Sequence, residues 1–155
     1  MEFSTKTDIE APIAHVFAQL TDFAVFERQA MRRGADVRRR DTLARPGVGS
    51  AWDVTFKFRG KDRHVVATIT AFEVLNGYSV TATSGGLDSV FVIDLVALSR
   101  TRTRLSVTLT LAPKTLTARI LVQSLKLGRG NLNRKFATRV EDYALDVQNR
   151  FKRPG

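Results

Sequence analysis

Few side chains in this sequence have both the type and the spacing to do chemistry. The two histidines, His15 and His64, lie far apart and neither has a carboxylate close by in sequence, so they compose no recognisable metal set or catalytic triad. His15 falls off the apolar stripe Ile13, Val16, Phe17 and Leu20, which predicts an exposed ring. His64 precedes the alternating residues Val65, Ala67, Ile69 and Ala71, expected on the inner side, which predicts that it faces out; a slip of one residue in register would reverse that. Asp53 and Asp94 would have to share a cleft for acid–base work, and both are expected on outward faces of strands. Arg129 could greet an anionic head group or extend its stem into solvent, and Tyr143 could donate to a ligand carbonyl or pack. The chain has no cysteine, which excludes disulfides, thiolate metal sites and a thiol nucleophile. The sequence therefore assigns no catalytic residue, no cofactor and no metal.

Charge is the strongest compositional signal. The formal net charge is +10, and it is concentrated in two segments. Residues 28 to 45 hold seven arginines against Asp36 and Asp41, and residues 114 to 153 hold ten basic residues against Glu141, Asp142 and Asp146. An anionic partner, either nucleic acid or a membrane surface, is one reading; a solvated basic face is the other. No aromatics are interleaved with the arginines, as a single-strand binder would need.

The elements that must position these residues follow from periodicity. At 155 residues, with 43% hydrophobic and 26% charged, the chain is expected to form one globular domain over 1–155. No run approaches the ~20 apolar residues of a membrane span, and the first residues show no signal-peptide pattern, so a cytoplasmic setting is expected. Residues 2 to 10 alternate as a half-buried strand with Phe3, Thr5, Thr7 and Ile9 on one face. Ala11-Pro12 opens a short helix, and Thr21-Asp22 offers capping oxygens to a second over about 23–32, with Phe23, Phe26 and Ala30 inward. Strands are then expected over 36–42, 50–58, 63–73, 78–84, 90–98 and 105–111, joined by short turns such as Asn76-Gly77. Such a meander must curl, and its concave face needs a cover.

The cover is the C-terminal run from about Thr115 to Phe151. Leu121, Leu125, Gly128, Leu132, Phe136, Val140, Tyr143, Val147 and Phe151 recur every three or four residues. The stripe keeps phase through Gly128, which predicts one continuous helix of about 37 residues, roughly 55 Å long, despite a cost of roughly 1 kcal/mol at each of Gly128 and Gly130. The class is therefore α+β: an antiparallel sheet of about seven strands with order β-α-α-β6-α.

In that order, Ile9-Glu10-Ala11-Pro12, His15-Val16-Phe17 and Leu20-Thr21-Asp22-Phe23 resemble the opening of the START-like or Bet v 1-like superfamily (SRPBCC, the polyketide cyclase/dehydrase and lipid transport family). Gly47-Val48-Gly49 before a Trp-bearing strand, Ile69-Thr70-Ala71-Phe72-Glu73 and Thr103-Arg104-Leu105 fit as well. The second helix departs from it, reading Phe26-Glu27-Arg28-Gln29 where relatives carry Pro-x-Trp. The resemblance implies a helix-grip fold whose sheet and long helix enclose an apolar cavity for lipids, polyketides or similar molecules.

Ligand-binding residues are expected on the inner face of the sheet at Trp52, Val54, Phe56, Phe58, Ile69, Phe91, Ile93 and Leu95. The helix would add Leu125, Gly128, Leu132 and Phe136, with the void beneath Gly128. Three functions follow: a carrier of a hydrophobic small molecule, a polyketide cyclase or dehydratase, and a basic module for RNA, ribosomes or an anionic membrane. An outward apolar strip, Val90, Val92, Val96 and Leu98 with Val66, suggests a homodimer contact.

Overall fold

The computed structural model describes residues 1–152. Seven strands form one antiparallel sheet in the order β1-β7-β6-β5-β4-β3-β2. They are β1 Glu2–Ile9, β2 Asp36–Arg39, β3 Ala51–Phe58, β4 Lys61–Glu73, β5 Gly77–Ser84, β6 Leu87–Ala97 and β7 Thr103–Pro113. Helices α1 (Ile13–Leu20) and α2 (Phe23–Arg32) interrupt the strands after β1, and α3 (Leu116–Leu127) and α4 (Arg129–Lys152) follow β7. The sheet is curved, and α4 lies on its concave face, packing against β1.

The meander follows the chain because each turn is short and its residues suit it. After Asn76, Gly77 has φ of 140° and passes so close to the Ile93 carbonyl that no Cβ would fit. The chain then enters β5 with Tyr78 opposite Ile93. β1 joins the last strand, Phe3 against Leu109 and Ile9 against Thr103, so the first and last strands are neighbours.

Several local expectations are corrected. The C-terminal stripe is not one helix: α3 ends at Gly128, whose N–H donates to Leu125 O at 3.1 Å with φ and ψ of −107° and 22°. Without a side chain to favour the helical basin, the glycine leaves it, and α4 starts afresh at Arg129. β2 stops at Arg39, short of the expected Thr42, because the Asp41 carboxylate takes over the bonding and accepts the Ala51 N–H at 2.8 Å. β4 carries a register shift between Ile69 and Ala71. Past it Ala71 is exposed, and Phe72 packs on Phe17 and Tyr78 instead. Finally, Asp22 is the N-cap of α2 without a side-chain bond, and the Thr21 hydroxyl turns back to donate to Phe17 O at 2.8 Å.

The densest packing lies where α1, α4 and the sheet meet. Ile9, Val16, Ile69 and Val147 have 0% exposure, with Leu105 at 1%. Fully burying such a side chain contributes roughly 1.5–3 kcal/mol. His15 is half-buried rather than exposed, since its Nε2–H donates to the Val147 carbonyl at 2.8 Å and its ring lies 5.0 Å from that of Phe151. That bond ties α1 to the last turns of α4.

Candidate functional site

Alternation along the strands brings one row of apolar side chains from each of β3 to β7 onto the concave face. The row does not fill the space beneath α4. A cavity of about 510 Å³ remains, bounded by α2, α4 and the middle of the sheet. Trp52 and Val54 come from β3, Ala67 from β4, Tyr78 and Val80 from β5, Phe91 and Ile93 from β6, and Leu105 and Val107 from β7. Phe23, Phe26, Glu27 and Ala30 of α2 and Phe136, Arg139, Val140 and Tyr143 of α4 complete the wall, with Leu20 and Val37 at its margin. Phe23 stands edge-on to both Trp52 and Tyr78, with ring centres 5.3 and 5.4 Å away, which stiffens the α2 side.

Polar groups in this wall are few, and most are engaged. The Trp52 indole N–H donates to Glu27 at 2.6 Å, while the Arg39 guanidinium lies over the same indole at 5.4 Å. Arg39 in turn holds Asp41 at 2.6 Å. The hydrogen bond from Arg39, with backbone donors Ala51 and Leu43, keeps the Asp41 carboxyl well below the usual carboxylate range. Tyr78 donates its hydroxyl to Leu20 O at 2.8 Å, and burial pushes its phenol far up. Tyr143 differs. Its phenol is also pushed up, by burial above all, yet its buried hydroxyl has no hydrogen-bond partner. An unmet buried donor costs about 1–3 kcal/mol, so the Tyr143 hydroxyl is a buried lining group left seeking an acceptor.

Of the residues expected from sequence, the structure brings Trp52, Val54, Phe91, Ile93 and Phe136 together around the cavity. Ile69 and Leu95 lie in packed core at 0% and 3% exposure, outside the cavity wall. Phe56 and Phe58 sit where β3 runs past the cavity, Phe56 half-buried and Phe58 exposed. Leu125 and Leu132 are half-buried away from the cavity. Gly128 is exposed, has only the Leu125 carbonyl near where a Cβ would stand, and lies outside the cavity wall. Arg129 is exposed and outside the wall as well, whereas Arg139, three turns on, lines it.

From α2, Phe23, Phe26 and Ala30 line the cavity as their inward spacing suggested, whereas Glu27 carried no visible signal of facing inward. Tyr143, singled out at the start, is in place.

Outside the cavity, His64 faces solvent as expected and bonds to Asp53 at 3.0 Å, with Arg40 on the same carboxylate at 2.9 Å. Arg40 chiefly, and His64 less, hold the Asp53 carboxyl below its ordinary value. Val90, Val92, Val96 and Leu98 are exposed on the convex face. Among the described residues, no group of His, Asp and Glu could hold a metal ion, and no helix is long and apolar enough to cross a membrane.

Comparison with known proteins places the fold. No family model matches the sequence, and no curated protein matches it. Solved structures do match. The Zhui aromatase/cyclase from a Streptomyces species aligns with a TM-score of 0.68 at 11% identity, covering 97% of this chain and 95% of that one. A START superfamily protein from Mycobacterium smegmatis aligns at 0.55 with 13% identity, over 86% and 95% of the two chains. Norcoclaurine synthase from Thalictrum flavum aligns at 0.60 with 12% identity, over 79% and 75%. The chain has the Bet v 1-like/START (SRPBCC) helix-grip fold. At these identities the likeness is one of fold.

Proposed function

We propose that the protein binds and carries a hydrophobic small molecule in the cavity between the sheet and α4. The observation that carries this reading is the unfilled 510 Å³ beneath α4, within the roughly 300–1,000 Å³ typical of small-molecule sites and walled almost wholly by apolar side chains. One structural neighbour, norcoclaurine synthase, has been solved in complex with dopamine and hydroxybenzaldehyde, which supports small-molecule binding on this fold. Carriage ranks above catalysis because Glu27 and Tyr78 spend their polar atoms on Trp52 and Leu20. A cyclase or dehydratase would need a free acid–base pair. The test is titration with the neutral fluorophore N-phenyl-1-naphthylamine, alongside mass spectrometry of what co-purifies. Saturable fluorescence enhancement supports the reading. A protein that neither enhances the probe nor retains any apolar molecule would end it.

A second reading, docking on an anionic bilayer, is favoured by α3. Leu116, Ile120 and Leu127 are 74%, 64% and 92% exposed. At ~100° per residue they fall within about 40° of one another, so they form one stripe. Residues 114 to 140 contain no carboxylate, and Lys114, Arg119 and Lys126 accompany the stripe. A basic helix with an open apolar face suits an anionic lipid surface. Co-flotation with phosphatidylglycerol vesicles but not phosphatidylcholine vesicles is expected, lost on replacing the three apolar residues by serine. Equal flotation with both lipids would remove the electrostatic part of this reading.

A further inference from the structure

The apolar cavity adjoins a second space of opposite character. On the side where α2 faces α4, a groove of about 900 Å³ shares Arg139 and Tyr143 with the cavity wall. Six cations line it, Arg32, Arg33, Arg134, Lys135, Arg139 and Arg150, against the carboxylates of Asp142 and Asp146. All eight are exposed, and among the described residues none of them forms an ion pair. A surplus of four positive charges in one groove is a standing attraction for an anion.

Tyr143 stands at the junction. Its ring packs on Phe26 at 5.7 Å, and its hydroxyl is the buried donor without a partner. Burial keeps the phenol protonated, so it offers a hydrogen bond and does not repel negative charge. A wholly apolar ligand would leave both the hydroxyl and the arginines unused.

We propose that the groove is the head-group site of the cavity and that the ligand is an amphiphile with an anionic head, a carboxylate or a phosphate. The apolar body fills the cavity, Arg139 and Arg134 hold the head through charge-assisted bonds, and Tyr143 donates to a head oxygen. This assignment rests on the reading that the cavity takes a hydrophobic molecule.

The test uses dodecanol, dodecanoate and dodecyl phosphate, each below its aggregation threshold, displacing N-phenyl-1-naphthylamine from the full chain. The two anions are expected to bind about tenfold tighter than the alcohol, a difference of 1.4 kcal/mol. That ratio should shrink in ~1 M salt, where the screening length is about 3 Å. Arg134→Gln/Arg139→Gln replaces two exposed cations, so the chain should fold, and it should bring the ratio of anion to alcohol affinity close to one. Tyr143→Phe should lower the affinity for both anions several-fold. A preference for either anion over the other supports the assignment and selects the head. Equal binding of alcohol and anions by the unaltered protein overturns the head-group site and leaves the cavity reading standing. A ratio that survives the double substitution overturns it too, as does displacement of the probe by inorganic phosphate alone. If neither the probe nor any of the three amphiphiles binds, the cavity reading falls, and the head-group site with it.

Discussion

Helices α3 and α4 continue one apolar repeat, yet they spend it differently. In α4, Phe136, Val140, Ala144 and Val147 turn onto the sheet, with Ala144 and Val147 buried. In α3 only Ala118 and Val122 are buried, against β7, and three large apolar residues stay in water. Periodicity reports that apolar residues share a face; what covers that face depends on where the helix lies over the sheet. The concave surface is long enough for α4, and α3 is left at its rim.

Substitutions should separate the two helices sharply. Val147→Asp, which strands a carboxylate in packed core, should abolish folding, and Val147→Ala should cost on the order of 2 kcal/mol in chemical denaturation. A cooperative, unshifted transition in Val147→Ala would show that α4 is not what the sheet grips. Next, Val80→Trp should fill the cavity from the sheet side and weaken binding of the neutral probe about tenfold or more, about 1.4 kcal/mol, while the chain remains folded.

Ion pairs offer a third probe, since among the described residues none involves α3 or α4. Asp41, at the α2 side of the cavity, has a depressed pKa, so its contribution is present above the ordinary carboxylate value of about 3.9 and is lost as pH falls below it. Asp41→Asn should therefore lower the melting temperature at pH 7, with the gap from the unaltered protein closing in acid. A gap independent of pH would mean that the carboxylate's charge is immaterial.

The smallest effects belong to α3 and its end. Gly128→Ala has room for its Cβ and should stabilise by about 0.5–1 kcal/mol by favouring the helical basin. A destabilisation there would indicate that the break itself is required. Leu127→Ser, at 92% exposure, should stay within about 0.5 kcal/mol of the unaltered protein. A loss comparable to that in Val147→Ala would erase the contrast between the two helices.

The fold was legible in the sequence to the extent that local rules govern it. Period-two alternation located the strands, and Asn76-Gly77 placed a hairpin that Gly77 makes at φ 140°. The bulge in β4 was not legible, because the alternation of Val65, Ala67 and Ile69 runs on to Ala71, and with Phe72 also apolar no side chain marks the shift. The site was less legible than the fold. Phe56 shares a face with Trp52 and Val54, but facing the same way does not tell how far along the strand the cavity extends. Gly128 looked informative as a gap in a bulky stripe, and its physical effect is on the backbone instead. The inward face of α2 was legible from the spacing of Phe23, Phe26 and Ala30, but Glu27 was not, because its place in the wall goes with a bond to Trp52, a long-range partnership that no spacing encodes.

The interruption at Gly128 also divides the C-terminal segment in time. α3 has its own start, where the Thr115 hydroxyl accepts the Ala118 N–H at 3.2 Å, and its own stop at Gly128. Beyond its packing, Ser124 accepts a bond from Arg59 at 2.9 Å. A helix bounded at both ends and lightly buried can open as a unit while the rest of the molecule stays folded. Its amide protons should exchange with deuterium by this local opening, whereas those around Val147 should await the unfolding of the whole sheet.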